Sequence, residues 1–212
     1  MAFDRADTLK LRGGGRLKVR AIEPGDKELL VGAFDRMSED SRYRRFFQPI
    51  HELSDSNLRF LTEVDHHDHE ALVAIDDDEA VGVARYVRSL EKPSRAEVAV
   101  SVVDDYQGRG VGGGLLERLV DRAREEDVTH FTALVQAANP GAVRVLSTLG
   151  ATQAHRDGDE VELDIELPED HGMGRGLSEA LRGAAGSALH PRGTAVRLLG
   201  QARRLYERAT PG

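Results

Sequence analysis

One stretch constrains this chain more than any other: residues 96–116, AEVAVSVVDDYQGRGVGGGLL. Residues 96–103 alternate small or polar side chains with β-branched ones, the period of a strand. Asp104 and Asp105 close that run. Gln107, Gly108, Arg109, Gly110, Val111 and Gly112 follow. Leu115, Leu116, Leu119, Val120 and Ala123 then recur at helical spacing. The segment therefore predicts a strand, a polar turn and a glycine-rich loop that opens a helix. Glycines there remove the Cβ atoms that would hold a ligand off the backbone. The free N–H groups of the first turn and the helix dipole then favour an anion, phosphate above all.

Two phosphate-loop patterns match these residues. Gly108-x-Gly110-x-x-Gly113 fits a dinucleotide fingerprint, which calls for an acid at the end of the next strand to hold a ribose. That strand is expected at about 130–136, and it runs into Gln136, Ala137, Ala138 and Asn139, with no acid. The other pattern is Gln/Arg-x-x-Gly-x-Gly/Ala, present from Gln107 to Gly112. It resembles the pyrophosphate loop of the GNAT superfamily of N-acetyltransferases. The strand from Ala96 to Val100 is similar to that family's central strand. Asn139-Pro140-Gly141-Ala142, ending in Leu149-Gly150-Ala151, is similar to its closing segment. Residues 41–47 (SRYRRFF) and 64–74 (VDHHDHEALVA) bring the likeness closest to the acetyltransferase domain of bacterial protein lysine acetyltransferases. The resemblance covers about residues 10–167.

It implies a mixed, mostly antiparallel α/β sheet flanked by helices, with acetyl-CoA as cosubstrate and no metal. It also implies site residues. Glu97, on the central strand, corresponds to the catalytic glutamate of the protein-acetylating members. It would take a proton from an attacking amine, directly or through water, since a carboxylate at its ordinary pKa of about 4.3 is a weak base. Val100 and Val102 would pair through their backbone with the pantetheine arm, and N–H groups near Val102 and Val103 would meet the oxyanion. Gln107, Gly108, Arg109, Gly110, Val111, Gly112 and Gly113 would hold the phosphates, and Asn139 would orient cofactor or amide. Many members place a tyrosine seven residues after the asparagine, as acid for the leaving thiolate. Here that residue is Leu146. Tyr86, Tyr106 or water could serve instead, or the thiolate could leave unprotonated. The acceptor implied is a primary amine, protein lysine or a small amine. A non-catalytic acyl-CoA-sensing module is the alternative.

Composition sets outer bounds. With 212 residues, 40% hydrophobic and 31% charged, the chain suits one globular domain plus an extension. It has no cysteine, which excludes thiolate chemistry. A net charge of −8 argues against non-specific nucleic-acid binding. No apolar run reaches the roughly 20 residues of a membrane span, and the first residues lack a signal core, so a cytoplasmic location is expected. The charge is uneven: residues 169–212 hold seven arginines against four acids, leaving about −11 on the rest.

In chain order the pattern predicts a hairpin around Gly13, Gly14 and Gly15, then three short helices. A second hairpin is expected around residues 76–79, followed by the central strand and loop, a helix, a strand, a short helix and a last strand at 161–167. Arg42, Arg44 and Arg45, on the second helix, could touch substrate or CoA phosphates, though solvated helix charge is the commoner role. Asp65, His66, His67, Asp68 and His69 have metal-ligand chemistry but adjacent positions on an extended segment, which favours a polar loop. The domain is expected over residues 1–168 and a glycine-rich linker over 169–190. At 191–212 a basic amphipathic helix could pack on the acidic core, join two copies into a homodimer or touch a membrane surface.

Overall fold

The computed structural model describes residues 7–168. The linker expected at 169–190 and the basic helix at 191–212 lie outside the described residues. The architecture is mixed α/β. The strands are β1 (Asp7–Lys10), β2 (Arg16–Ala21), β3 (His69–Asp76), β4 (Glu79–Arg88), β5 (Arg95–Val102), β6 (His130–Gln136), β7 (Ala151–Asp157) and β8 (Glu160–Glu166). Three short helices, α1 (Lys27–Asp35), α2 (Glu39–Phe46) and α3 (Asp55–Thr62), separate β2 from β3. Helix α4 (Val111–Glu125) follows β5, and α5 (Pro140–Ser147) follows β6. The eight strands form one sheet in the order β1-β2-β3-β4-β5-β6-β8-β7.

Every neighbouring pair is antiparallel except β5 with β6. A parallel pair needs a long crossover, and α4 supplies it. Its apolar stripe, with Leu115, Leu116, Leu119 and Val120 all fully buried, lies on β3, β4 and β5. Gly82 of β4 faces this helix: a Cβ there would sit 2.9 Å from Val111 and 3.2 Å from Leu115. The glycine inside that strand thus marks a close approach of helix to sheet. Opposite it the β3–β4 register shifts between Ala74 and Ile75. Tyr86, also on this face, packs on Phe131 with ring centroids 5.9 Å apart.

Strand alternation turns the neighbours of Gly82 the other way. Val83 and Arg85 of β4, and their cross-strand partners Ser101 and Ala99 of β5, face α1, α2 and α3. Those helices begin on polar caps. Ser38 accepts the Ser41 N–H at the start of α2, and Ser54 accepts the Asn57 N–H at the start of α3. Asp26, at the N-cap of α1, makes no side-chain cap hydrogen bond. Its carboxylate accepts two bonds from Arg20 (2.6 and 2.7 Å) and one from the Glu23 N–H (2.8 Å), which ties β2 to the turn before α1.

Strand β7 was not expected. Its side chains are almost all exposed, so it carries no inward–outward alternation, and only its ladder with β8 defines it. Among the described residues no helix is long and apolar enough to cross a membrane.

Candidate active site

The β5–β6 ladder is short. It joins Arg95, Ala96 and Glu97 to His130, Phe131 and Thr132, although β5 continues to Val102 and β6 to Gln136. Beyond Glu97 the two strands part into a wedge. The hydrogen-bond phase on the other side of β5 is fixed by Ser89 N–H to Arg95 O (2.8 Å) and Val103 N–H to Val81 O (3.0 Å). In an antiparallel ladder such pairs alternate. Glu97, Ala99 and Ser101 therefore bond to β4 through their backbone, while Val98, Val100 and Val102 turn theirs toward β6; the Glu97–Thr132 rung takes the Val98 N–H, and beyond it Val100 and Val102 face the wedge. An extended amide chain laid there would continue the sheet. The Val103 N–H, expected near an oxyanion, is instead held by the Val81 carbonyl. The donor of that pair facing the wedge is Val102.

At the end of β5 the loop turns into α4. Gly108 and Gly110 have φ of 72° and 90°, the left-handed region that glycine enters without strain. Gly110 is the N-cap of α4 and offers no side chain to the first turn, which also holds no acidic residue. The N–H groups of Val111, Gly112 and Gly113 thus open the helix at its positive end. Gly112 packs close on β5: a Cβ there would stand 3.6 Å from the side chains of both Val100 and Val102. The loop is braced from below. Gln107 donates through Nε2 to Val102 O (3.1 Å) and Asp104 Oδ1 (2.8 Å). Asp104 in turn accepts from the Ser38 N–H and the Ser41 hydroxyl at the start of α2. Arg109 accepts the Arg12 N–H at its carbonyl (3.0 Å), and its guanidinium lies 4.6 Å from the centre of the Tyr106 ring.

Glu97 occupies the other side of the strand. It is half-buried, pairs across β4 with Val87, and shares its face with Arg85 and Ser101. Arg85 and Ser101 border an open pocket between the sheet and α1–α3, and Glu97 is not among its lining residues. Phe34, Phe46 and Leu61 line it together with Arg45, Arg85 and Ser101. Burial pushes the Arg45 guanidinium down to about 10, against the opposing pull of the Glu97 charge. Burial, and then the charge of Arg45, push Arg85 down to about 9, so both stay cationic at neutral pH. Arg85 donates to Leu61 O (3.0 Å) and to Nε2 of His69 (2.9 Å). Burial, followed by the charges of Arg85 and His66, holds His69 well below the ordinary histidine value, which keeps it a neutral acceptor.

Of the three α2 arginines, Arg45 alone lines this pocket. Arg42 donates to Phe34 O (3.1 Å) and Asp35 O (3.1 Å) at the end of α1, and Arg44 pairs with Asp40 (3.3 Å). Arg85 was not anticipated from the sequence. Its signal was a charged residue at an alternating position inside the apolar run of β4.

Asn139 is buried at the N-cap of α5, where its Oδ1 accepts the Ala142 N–H (3.1 Å). Leu146 is fully buried in the core. The two tyrosines considered as acids are both engaged. The Tyr86 hydroxyl donates to His67 O (3.1 Å) from the face opposite Glu97, and burial raises its pKa. The Tyr106 hydroxyl donates to Asp76. The histidine-rich loop disperses: Asp65 accepts the N–H groups of His67 and His69, His66 pairs with Glu70, and His67 with Glu126. Among the described residues no three His, Cys, Asp or Glu side chains gather.

The arrangement joins a sheet-edge groove, a helix N-terminus and a pocket on the Glu97 face of one strand. Known proteins share the family and the fold. The model of the Acetyltransferase (GNAT) family matches residues 34–151. Acetyltransferase Pat of Mycolicibacterium smegmatis is 32% identical over 79% of this chain, and the match spans half of that protein's length. An acetyltransferase of Pseudomonas aeruginosa is 31% identical over 71% of this chain and 82% of its own. Among solved structures, the GNAT domain of S. lividans PAT superposes with a TM-score of 0.71 at 33% identity, covering 76% of this chain and 97% of that one. The chain belongs to the acetyltransferase (GNAT) family.

Proposed function

We propose that this protein transfers the acetyl group of acetyl-CoA to a primary amine, with the side chain of a protein lysine as acceptor and Glu97 as general base. One observation carries the reading. Glu97 stands where the β5–β6 ladder ends, beside the wedge and on the strand face that also carries Arg85 and Ser101. A donor laid along Val98, Val100 and Val102 would bring its phosphates to the N–H groups of Val111, Gly112 and Gly113. The thioester would then lie near Glu97.

An ammonium must lose a proton before it can attack, and its ordinary pKa of about 10.4 leaves it charged at neutral pH. Glu97 takes that proton, directly or through one water. The amine lone pair adds to the thioester carbonyl, and the Val102 N–H stabilises the oxygen that gains charge. Collapse of the adduct breaks the C–S bond and releases the thiolate, and the proton left on the new amide nitrogen passes to the thiolate or to water. With Tyr86 and Tyr106 committed to protein acceptors, the thiolate leaves as such or takes a proton from water. A thiol of pKa near 8.5 makes that tolerable. In this reading the protein acts in the cytoplasm and residues 1–168 are the transferase domain.

Glu97→Gln tests the assignment. General-base catalysis supplies about 10²–10⁴ in rate. Turnover should fall by about a hundredfold or more while calorimetry shows acetyl-CoA affinity unchanged. Turnover within about threefold of the parent would remove Glu97 from the chemistry.

A further inference from the structure

Asp164 of β8 carries one oxygen that its ion pair does not use. Its Oδ2 pairs with Arg95 of β5, while its Oδ1 is buried with no hydrogen-bond partner among the described residues. Buried acceptors are rarely left so. The sheet register identifies the group beside it. Asp164 stands opposite Thr132 of β6, and Thr132 stands opposite Glu97 of β5. Three neighbouring strands thus set Glu97, Thr132 and Asp164 in one row on one face of the sheet. Neighbouring strands lie about 4.7–4.9 Å apart, so the threonine hydroxyl stands between two carboxyl groups. It lies 3.5 Å from the Ala96 carbonyl, beyond the usual range of an O–H···O bond, so little holds it there.

A carboxylate at its ordinary pKa of about 4.3 is a weak base toward an ammonium at about 10.4. It becomes a stronger one when its protonated form is the better hydrogen-bonded of the two. The row supplies that difference. With Glu97 ionised, one hydroxyl proton faces two carboxylates and serves only one of them. With a proton on Glu97, the new O–H donates to Thr132 Oγ, and the threonine hydroxyl donates onward to Asp164 Oδ1.

We propose that Thr132 and Asp164 are positioning residues for the base, completing a hydrogen-bonded row when Glu97 holds the proton taken from the amine. The inference rests on the acetyl-transfer reading for the source of that proton and on the sheet register for the row. One covalent bond to hydrogen forms, the Glu97 O–H, as the amine N–H breaks; the other two links are hydrogen bonds. The further charges on this face are Arg45 of α2, Arg85 of β4, Arg95 of β5, His130 of β6, and Glu162 and Glu166 of β8. Thr132→Val leaves all of them in place and keeps the side chain's shape.

The test follows the Glu97 carboxyl carbon by NMR against pH, its signal assigned with Glu97→Gln, and needs no acceptor. A bond to the protonated form raises a carboxyl's midpoint, so losing it lowers the midpoint. In Thr132→Val that midpoint should fall by about half a unit or more, and Thr132→Ser should restore it. The acid limb of kcat/KM for a single-lysine peptide, at saturating acetyl-CoA, should move down with it, while calorimetry shows acetyl-CoA affinity unchanged. A midpoint that falls while Glu97→Gln keeps its turnover would support the row and overturn the base reading alone. A midpoint that Thr132→Val does not move, or that Thr132→Ser moves equally, would overturn the row even if Glu97→Gln is inactive.

Discussion

Two hydroxyls and one imidazole show how much neighbours decide what a side chain can do. Tyr86 and Tyr106 have the right chemistry for a thiolate's acid, but each proton is already held by a protein acceptor. Tyr86→Phe and Tyr106→Phe should each leave turnover within about threefold of the parent. Tyr86→Phe should cost about 1 kcal/mol in urea denaturation, the typical net worth of a hydrogen bond. A hundredfold loss of turnover in either would make that tyrosine the acid. His69 makes the opposite point. Its folded-state pKa lies below the unfolded value of about 6.5. The unfolded chain therefore binds more protons below that pH, and stability must fall as pH drops from about 6.5 toward the folded value. The slope is at most about 1.4 kcal/mol per pH unit. Urea midpoints at pH 7 and pH 5.5 should separate more for the parent than for His69→Gln. Equal separations would show that His69 is not held neutral.

Helix α4 and strand β4 meet through Gly82, and the loop depends on that contact. A methyl group there would press on Val111, the first residue of the helix. Gly82→Ala should cost about 1–3 kcal/mol through overpacking. It should also weaken acetyl-CoA by displacing the N–H groups of the first turn. Full stability together with unchanged affinity would show the contact to be slack. The elements were legible in the sequence where one face was apolar. The stripe of α4, the alternation in β5 and the apolar run of β6 all announced themselves, and β6 begins and ends at the residues expected. Strand β7 did not, because Gln153, His155 and Arg156 are exposed and only pairing makes them a strand. The site was legible in the same uneven way. Glycines before a helical stripe marked the loop, and Glu97 stood out as an acid among small apolar neighbours. The pocket behind it was hidden, because Arg85 and Arg45 come together only when β4 and α2 pack. The hydrogen-bond phase that commits Val103 to Val81 was equally unreadable without the ladder.

At the scale of the molecule, one strand serves two faces and an edge. Its edge toward β6 is open beyond the short ladder and would, in the proposed function, take a linear cosubstrate; one face packs on α4, and the other carries Glu97 together with the pocket residues Arg85 and Ser101. The sheet imposes this division, since alternation separates Val98, Val100 and Val102 from Glu97 and Ser101. Amide hydrogen exchange with and without acetyl-CoA tests it most directly. The account predicts slower exchange at Val100, Val102 and residues 111–113 on addition of acetyl-CoA, and no such change with NAD. It also predicts little change at Val103, whose N–H is already bonded. Acetyl-CoA binding that protects none of these amides, or the same protection from NAD, would contradict it.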